Sequence, residues 1–154
     1  MAEVKEHSPI MIRALYRPED LPSIVDIWLE ASIKAHDFVP ASFWEARVCD
    51  MRDTYLPTSD LYLAMEGQEV CGFYALINGE LMALFVKPDK QGAGIGSKLL
   101  EHAKSKCRNL SLCVYKANTP SIHFYEKHGF TIEGEQIDEH TGELELVMCC
   151  HSAP

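Results

Sequence analysis

The sequence lacks several features that would assign a protein to a broad class. It contains no apolar run long enough to span a bilayer, and its first residues include no apolar core of a secretory signal. Its six cysteines form no C-x-x-C pair and mostly follow the apolar pattern, so we interpret them as reduced thiols packed as small core residues. We therefore expect a soluble, cytoplasmic protein with no membrane partner.

The sequence is also poor in basic residues. It has 14 Lys and Arg against 23 Asp and Glu, which gives a formal charge of -9. A nucleic-acid binder needs a basic face to neutralise phosphates, so this balance argues against one and suits a cationic ligand better. His123 and His128 lie five positions apart on a predicted helix and face different directions, so we expect no metal site there.

No linker rich in Pro, Gly or Ser and no internal repeat divides the chain. Its 154 residues are enough for one full core and few for two. Residues 1–8 are polar, and we interpret them as a loose extension ahead of a single domain over residues 9–154.

Apolar periodicity predicts an alternation of strands and helices. Turn signals follow at 66–68 and 78–79, so three consecutive strands should pair as antiparallel hairpins. The segment 81–115 reads as strand, helix and strand, which predicts a crossover between parallel strands. The predicted strands are 11–15, 61–65, 70–77, 80–86, 110–115, 130–137 and 144–150, and the predicted helices are 17–36, 43–55, 95–107 and 121–128.

A glycine-rich loop stands at the centre of this pattern. Gln91 is followed by Gly92, Gly94 and Gly96, between a predicted strand and a predicted helix. Glycines allow a sharp turn and a close approach to the backbone, and a helix start presents unpaired amides and partial positive charge. The loop therefore suits a phosphate or pyrophosphate. The spacing matches neither the G-x-G-x-x-G nor the Walker A pattern.

The loop instead fits the pattern Q/R-x-x-G-x-G/A. A second motif, N-x-x-A-x-x-F-Y-x-x-x-G-F, is matched by Asn118–Phe130, with Ser121 in the usual alanine position. Together the two motifs resemble the GCN5-related N-acetyltransferase (GNAT) family over about residues 11–150. The segment Ala35–Phe38 further resembles small bacterial members that carry Ala-His-Asp/Pro-Phe, some of which acetylate protein lysines.

The resemblance implies the fold and the reaction. The fold class would be α/β (α+β), with a mixed, mostly antiparallel sheet of about seven strands and about four flanking helices. The reaction would move acetyl from acetyl-CoA to a primary amine, on a protein lysine or a small molecule, by direct attack in a ternary complex without a metal. The protein would act as a monomer or homodimer. The implied contacts to acetyl-CoA are Leu84, Phe85, Val86, Gln91, Gly92, Ala93, Gly94, Ile95, Gly96, Ser97, Asn118 and Tyr125.

The family pattern also implies roles for single residues. Tyr125 matches the tyrosine that donates a proton to the departing CoA thiolate, and a main-chain N–H of Phe85 or Val86 would stabilise the oxyanion. A protonated amine has no free lone pair, so a base must remove its proton. Glu80 matches the glutamate base of histone-type members in its distance from Gln91.

Two alternatives to Glu80 stay open. His36 could accept a proton near neutral pH, and a water chain would need neither residue. The acceptor side is expected to include His36, Phe38, Trp44 and Tyr74. A different function is a non-catalytic acyl-CoA-binding module or sensor, which would keep the loop without turnover.

Overall fold

A computed structural model describes residues 9–15 and 17–151, so the extension predicted over residues 1–8 lies outside the described residues. The strands in this part are β1 (Ile10–Ala14), β2 (Asp60–Glu66), β3 (Glu69–Ile77), β4 (Glu80–Val86), β5 (Asn109–Tyr115), β6 (Thr131–Ile137) and β7 (Leu144–His151). The α-helices are α1 (Leu21–Ala35), α2 (Ala41–Glu45), α3 (Val48–Asp50), α4 (Ile95–Lys106) and α5 (Thr119–Lys127), with short 3-10 turns at Pro18–Asp20 and Pro88–Lys90.

All seven strands form one mixed sheet in the order β1-β2-β3-β4-β5-β7-β6. Only β4 and β5 pair in parallel, and the other neighbours are antiparallel. Parallel strands need a crossover connection, which α4 supplies here. The predicted fold class, a mixed and mostly antiparallel seven-stranded sheet with flanking helices, is confirmed.

Each face of the sheet carries one main helix. The apolar residues of α1 recur at helical spacing and bury one stripe against one face, and those of α4 do the same on the other face. Alternate residues of β3 divide between the two cores, so that Phe73 and Ala75 face α1 and Tyr74 faces α4. The sheet therefore separates two sets of side chains that are neighbours in sequence.

The helix predicted over 43–55 is not continuous. The chain forms α2 and α3 and then a π-helical turn over Met51–Tyr55, where the Leu56 amide bonds the Met51 carbonyl at 3.0 Å. The extra residue in this turn rotates the chain, so Leu56 is 1% exposed and Tyr55 is 47% exposed. Periodicity alone could not show this, because both residues are apolar enough to occupy the buried position.

All six cysteines are free thiols. Within the described ranges no helix is both long and apolar enough to cross a membrane. The same residues contain no group of three or more His, Cys, Asp or Glu side chains arranged to hold a metal ion.

Candidate active site

The glycine loop runs from the Pro88–Lys90 turn into α4. Gly92 and Gly94 have φ values of +86° and +83°, in the left-handed region that favours glycine. A Cβ at either position would meet nothing within 4 Å, so the backbone conformation, and not crowding, requires glycine. The space above the loop is open, and the unpaired first amides of α4 border it.

A wedge opens beside this loop because β4 and β5 diverge. Their ladder consists of the single pair Glu80 and Ser111. Next to this pair, β4 contains a bulge. Leu81 pairs with Leu76 and Ala83 pairs with Ala75, so Met82 of β4 has no partner residue on β3. Beyond the bulge, the edge of β4 that faces β5 has main-chain groups available for a ligand.

Val86 directs its main-chain groups into the wedge. The Lys87 amide donates to the Cys71 carbonyl at 2.7 Å, so the facing pair Gly72 and Val86 is not hydrogen-bonded across the ladder. The Val86 carbonyl instead accepts a 3.1 Å hydrogen bond from Gln91 Nε2. The main-chain N–H and C=O of Phe85 point toward β3 instead. Of the two candidates for the oxyanion donor, the Val86 N–H is therefore the one that faces the wedge.

Two clefts meet at the end of β4. The first, the loop cleft, is lined by the glycine loop, the end of β4 and the start of α5. The second, the aromatic cleft, is lined by residues of α1, α2, β4 and β5 and by the β6–β7 hairpin. Four residues line both clefts: Leu84, Phe85, Asn118 and Ser121. A ligand in the loop cleft can therefore present one end to the aromatic cleft.

Asn118 lines both clefts and forms hydrogen bonds with a residue on each side. Its Oδ1 accepts from the Ser121 amide at 3.3 Å and caps α5, which fixes the orientation of the side-chain amide. Its Nδ2 then points at His36 Nε2, 3.3 Å away, in a buried contact between α5 and the end of α1. Because Nε2 accepts this hydrogen bond, the neutral imidazole carries its proton on Nδ1.

His36 is poorly suited to act as a base. Burial lowers its pKa to about 4, against a smaller opposing effect of the Ser32 backbone. The imidazole is therefore neutral at pH 7 and holds an extra proton weakly. Its remaining lone pair is engaged by Asn118. The side chain lies in the aromatic cleft, as expected from the sequence.

Tyr125 lines the aromatic cleft from α5. Its ring stacks on Phe124 at 5.3 Å and meets Phe130 edge-on at 5.5 Å, which holds the phenol in place. Burial raises the pKa of Tyr125 well above its ordinary value. The phenol therefore remains protonated at neutral pH and can donate a proton or a hydrogen bond.

Glu80 lies at the point where β4 and β5 begin to separate. Its side chain is exposed and lines the same cleft as Tyr125. A carboxylate open to water can receive a proton directly or through solvent. Trp44 lines this cleft too, whereas Phe38 packs behind it, edge-on to His36 at 5.7 Å.

The structure places Tyr74 far from its expected role. It belongs to the core on the α4 face, and its buried hydroxyl lies 2.6 Å from His102 Nδ1. Tyr74 lines neither cleft. The expectation of an acceptor contact is corrected here: strand alternation turned this aromatic away, while its neighbour Ala75 lines the cleft.

The rest of the loop segment divides into open and engaged residues. Ala93 is exposed in the loop, and Ile95 is buried beneath it. Gly96 has little room, since an added Cβ would lie 3.4 Å from Phe124 Cζ. The Ser97 hydroxyl is 3.0 Å from His128 Nε2, so it ties α4 to the end of α5.

The sequence analysis missed Tyr115 and Asp138. The Tyr115 ring packs against His36 at 5.0 Å, and its hydroxyl donates to Asp138 Oδ2 at 2.5 Å. Burial alone would raise the pKa of Asp138, but hydrogen bonds from Tyr115, the His140 amide and Thr141 hold it below its ordinary value. The position of Tyr115 at the carboxyl end of β5 was the available signal, while Asp138 had none in the sequence.

Comparisons with known proteins agree with this geometry. Residues 57–132 match the family model for the acetyltransferase (GNAT) domain. The chain is 36% identical over 123 residues to the peptidyl-lysine N-acetyltransferase YiaC of Escherichia coli, covering 79% of this chain and 84% of that protein. The solution structure of apo YjaB from Escherichia coli has a TM-score of 0.83 at 30% identity and covers 94% of this chain and 99% of YjaB.

A further structure shares the fold. The crystal structure of the PaiA N-acetyltransferase of Thermoplasma acidophilum in complex with coenzyme A has a TM-score of 0.76 at 21% identity, covering 93% of this chain and 99% of PaiA. The structure shows a sheet that opens between β4 and β5 beside a glycine loop. The similarity to YiaC and YjaB extends over most of the chain and leads to the same conclusion. The chain belongs to the GNAT family and is an N-acetyltransferase.

Proposed function

We propose that this protein transfers the acetyl group of acetyl-CoA to the side-chain amine of lysine in a polypeptide. The observation that carries the proposal is the junction of the two clefts at Leu84, Phe85, Asn118 and Ser121. Such a junction lets one molecule present its thioester to another without a covalent enzyme intermediate. The names of the relatives YiaC and YjaB, both peptidyl-lysine N-acetyltransferases, support the choice of acceptor.

The residues of the loop cleft fit acetyl-CoA. Open space lies above Gly92 and Gly94, so main-chain amides at the start of α4 can approach a pyrophosphate. The diverging edge of β4 offers main-chain groups to the amides of the pantetheine arm. Acetyl-CoA supplies an activated acyl group, and the protein supplies its position.

Three groups of this chain would act during transfer. Glu80 receives the proton of the lysine ammonium, which frees the lone pair that forms the new N–C bond. The Val86 N–H stabilises negative charge that develops on the thioester oxygen. As the C–S bond breaks, Tyr125 gives its proton to the sulfur. The second amine proton and the proton on Glu80 pass to solvent, from which Tyr125 regains one.

Glu80 is the stronger candidate for the base. The imidazole of His36 has its acceptor nitrogen engaged by Asn118 and a pKa of about 4, whereas the carboxylate of Glu80 is exposed in the cleft. We also propose the cytoplasm as the compartment, because all six cysteines are free thiols.

The test uses the purified chain with acetyl-CoA and a set of lysine peptides with blocked ends. We expect CoA release together with acetyl-lysine identified by mass spectrometry. Glu80→Gln should lower kcat by about 10²-fold or more without changing the Kd for acetyl-CoA. Glu126→Gln, on the exposed side of α5, is the matched control and should retain full turnover.

Two results would contradict parts of this proposal. Full turnover by Glu80→Gln would remove Glu80 from the base role. Binding of acetyl-CoA without acetylation of any amine would favour a non-catalytic binding module, and turnover of small amines alone would exclude the polypeptide acceptor.

A further inference from the structure

Three buried polar atoms of the aromatic cleft have no hydrogen-bond partner in the described part of the protein. They are Ser32 Oγ, His36 Nδ1 and Trp44 Nε1, which we call the polar trio. Their residues are 0%, 8% and 7% exposed, and all three residues line the cleft. Buried polar side chains are nearly always paired, so three unpaired atoms in one wall require an explanation.

The trio residues adjoin one another. His36 directly follows the last residue of α1, and its main-chain amide still donates to the Ser32 carbonyl at 2.9 Å, which places the two residues next to each other at the end of that helix. The His36 and Trp44 rings lie 5.1 Å apart between centroids, with planes 31° apart. The trio thus belongs to one wall, built by α2 and the end of α1, of the cleft that Glu80 also lines.

The trio offers donors to a ligand. Trp44 Nε1 can only donate, and His36 Nδ1 donates because Nε2 already accepts from Asn118. The Ser32 hydroxyl can donate as well. An ammonium group has no lone pair and cannot use these atoms, whereas a carbonyl or carboxylate oxygen can accept from two of them.

We propose that Ser32, His36 and Trp44 form an oxygen-binding subsite for the acceptor, and that the main-chain carbonyl of the acceptor lysine occupies it. This inference rests on the proposed function, because only a polypeptide acceptor carries such a carbonyl. The aromatic side chains that line the same cleft would cover the aliphatic part of the lysine side chain. The subsite discriminates a peptidyl lysine from a simple alkylamine.

The test compares acceptors that differ in oxygen. The acceptors are a lysine peptide with both ends blocked, Nα-acetyl-lysine with its free carboxylate, and pentylamine, which has the amine and no oxygen. Trp44→Phe keeps an aromatic ring and removes the N–H, and Ser32→Ala removes the hydroxyl. We expect KM for the blocked peptide to rise about tenfold in Trp44→Phe, with kcat, the Kd for acetyl-CoA and KM for pentylamine unchanged.

Thermal unfolding gives a second readout that does not depend on activity. Removing an unpaired buried polar atom relieves a cost in the free protein, so Ser32→Ala should raise Tm while it weakens the peptide acceptor. A merely structural role of the hydroxyl would lower Tm instead and would overturn the proposal.

The remaining outcomes separate the subsite from the proposed function. If the wild type acetylates the peptide and Trp44→Phe changes KM equally for peptide and pentylamine, or for neither, the subsite is wrong and the function stands. A rise in KM confined to Nα-acetyl-lysine overturns the assignment to a main-chain carbonyl. Absence of peptide acetylation by the wild type overturns the proposed function itself.

Discussion

At the scale of single residues, Asn118 makes two side-chain hydrogen bonds that link different parts of the site. Its Oδ1 caps α5 and its Nδ2 holds His36, so one side chain sets the start of a helix on one cleft and a ring on the other. The amide group allows both contacts at once, because its oxygen accepts while its NH₂ group donates. The acceptor wall and the cofactor wall are thereby fixed relative to each other.

Tyr125 carries the clearest prediction at this scale. Tyr125→Phe should lower kcat by about 10²-fold, because the thiolate then leaves without a proton donor. The Kd for acetyl-CoA should change little, since the ring still packs between Phe124 and Phe130. Steady-state kinetics with calorimetry of CoA binding measures both quantities.

The matched control for this substitution is Tyr62→Phe. Tyr62 stacks on Tyr74 at 5.0 Å on the α4 face of the sheet, away from both clefts. It should retain wild-type kcat, and equal kcat for Tyr125→Phe and the wild type would rule out the proton-donor role.

At the scale of elements, the bulge in β4 and the loop before α4 act together. The bulge at Met82 changes which main-chain groups face β5, and the separation of the strands leaves those groups unpaired. The loop then turns the chain so that α4 begins beside the same opening. A regular β4 paired along its full length with β5 would leave no wedge for a thioester.

The glycine loop allows a prediction with an internal control. Gly94→Ala should weaken CoA binding about tenfold or more, because a residue with φ near +83° must strain or shift the amides above α4. Gly142, in the β6–β7 turn, has φ of +78° and equally open surroundings. Gly142→Ala should therefore lose similar stability, about 1 kcal/mol, without affecting CoA affinity.

Calorimetric titration with CoA and chemical unfolding of both variants provide the measurements. Equal CoA affinity in the Gly94 and Gly142 variants would show that the loop conformation has no part in binding.

At the scale of the whole molecule, buried histidine makes stability depend on pH. The pKa of His36 is about 4 in the folded protein, against 6.5 ordinarily. The folded state thus disfavours the protonated imidazole. The stabilisation that the neutral imidazole gives the folded protein is complete above pH 6.5 and is lost as pH falls toward 4. Stability should be about 2 kcal/mol lower at pH 5 than at pH 7.5 from this group alone.

Urea unfolding at the two pH values tests this expectation. Between pH 7.5 and pH 5, the free energy of unfolding of His36→Gln should fall by about 2 kcal/mol less than that of the wild type. This difference is expected whatever the stability of the variant at pH 7.5. His123→Gln, which removes an exposed histidine of α5, is the matched control. A wild-type slope retained in His36→Gln would mean that other groups cause the pH dependence.

The sequence by itself determined the features that depend on near neighbours. Gly92 and Gly94 adopt positive φ values that favour glycine, and Asn118 caps the helix that follows it. Alternation of apolar and polar residues indicates the strands. The order of elements and the family followed from these signals, and the structure and comparisons confirmed both.

Tertiary structure alone decided how distant segments meet. It set which face received Tyr74, brought Asp138 to Tyr115 and buried His36 deeply enough to lower its pKa. These outcomes depend on sheet order, on a one-residue bulge and on desolvation. Each is a property of contacts between residues far apart in the chain, which periodicity and local propensity do not encode.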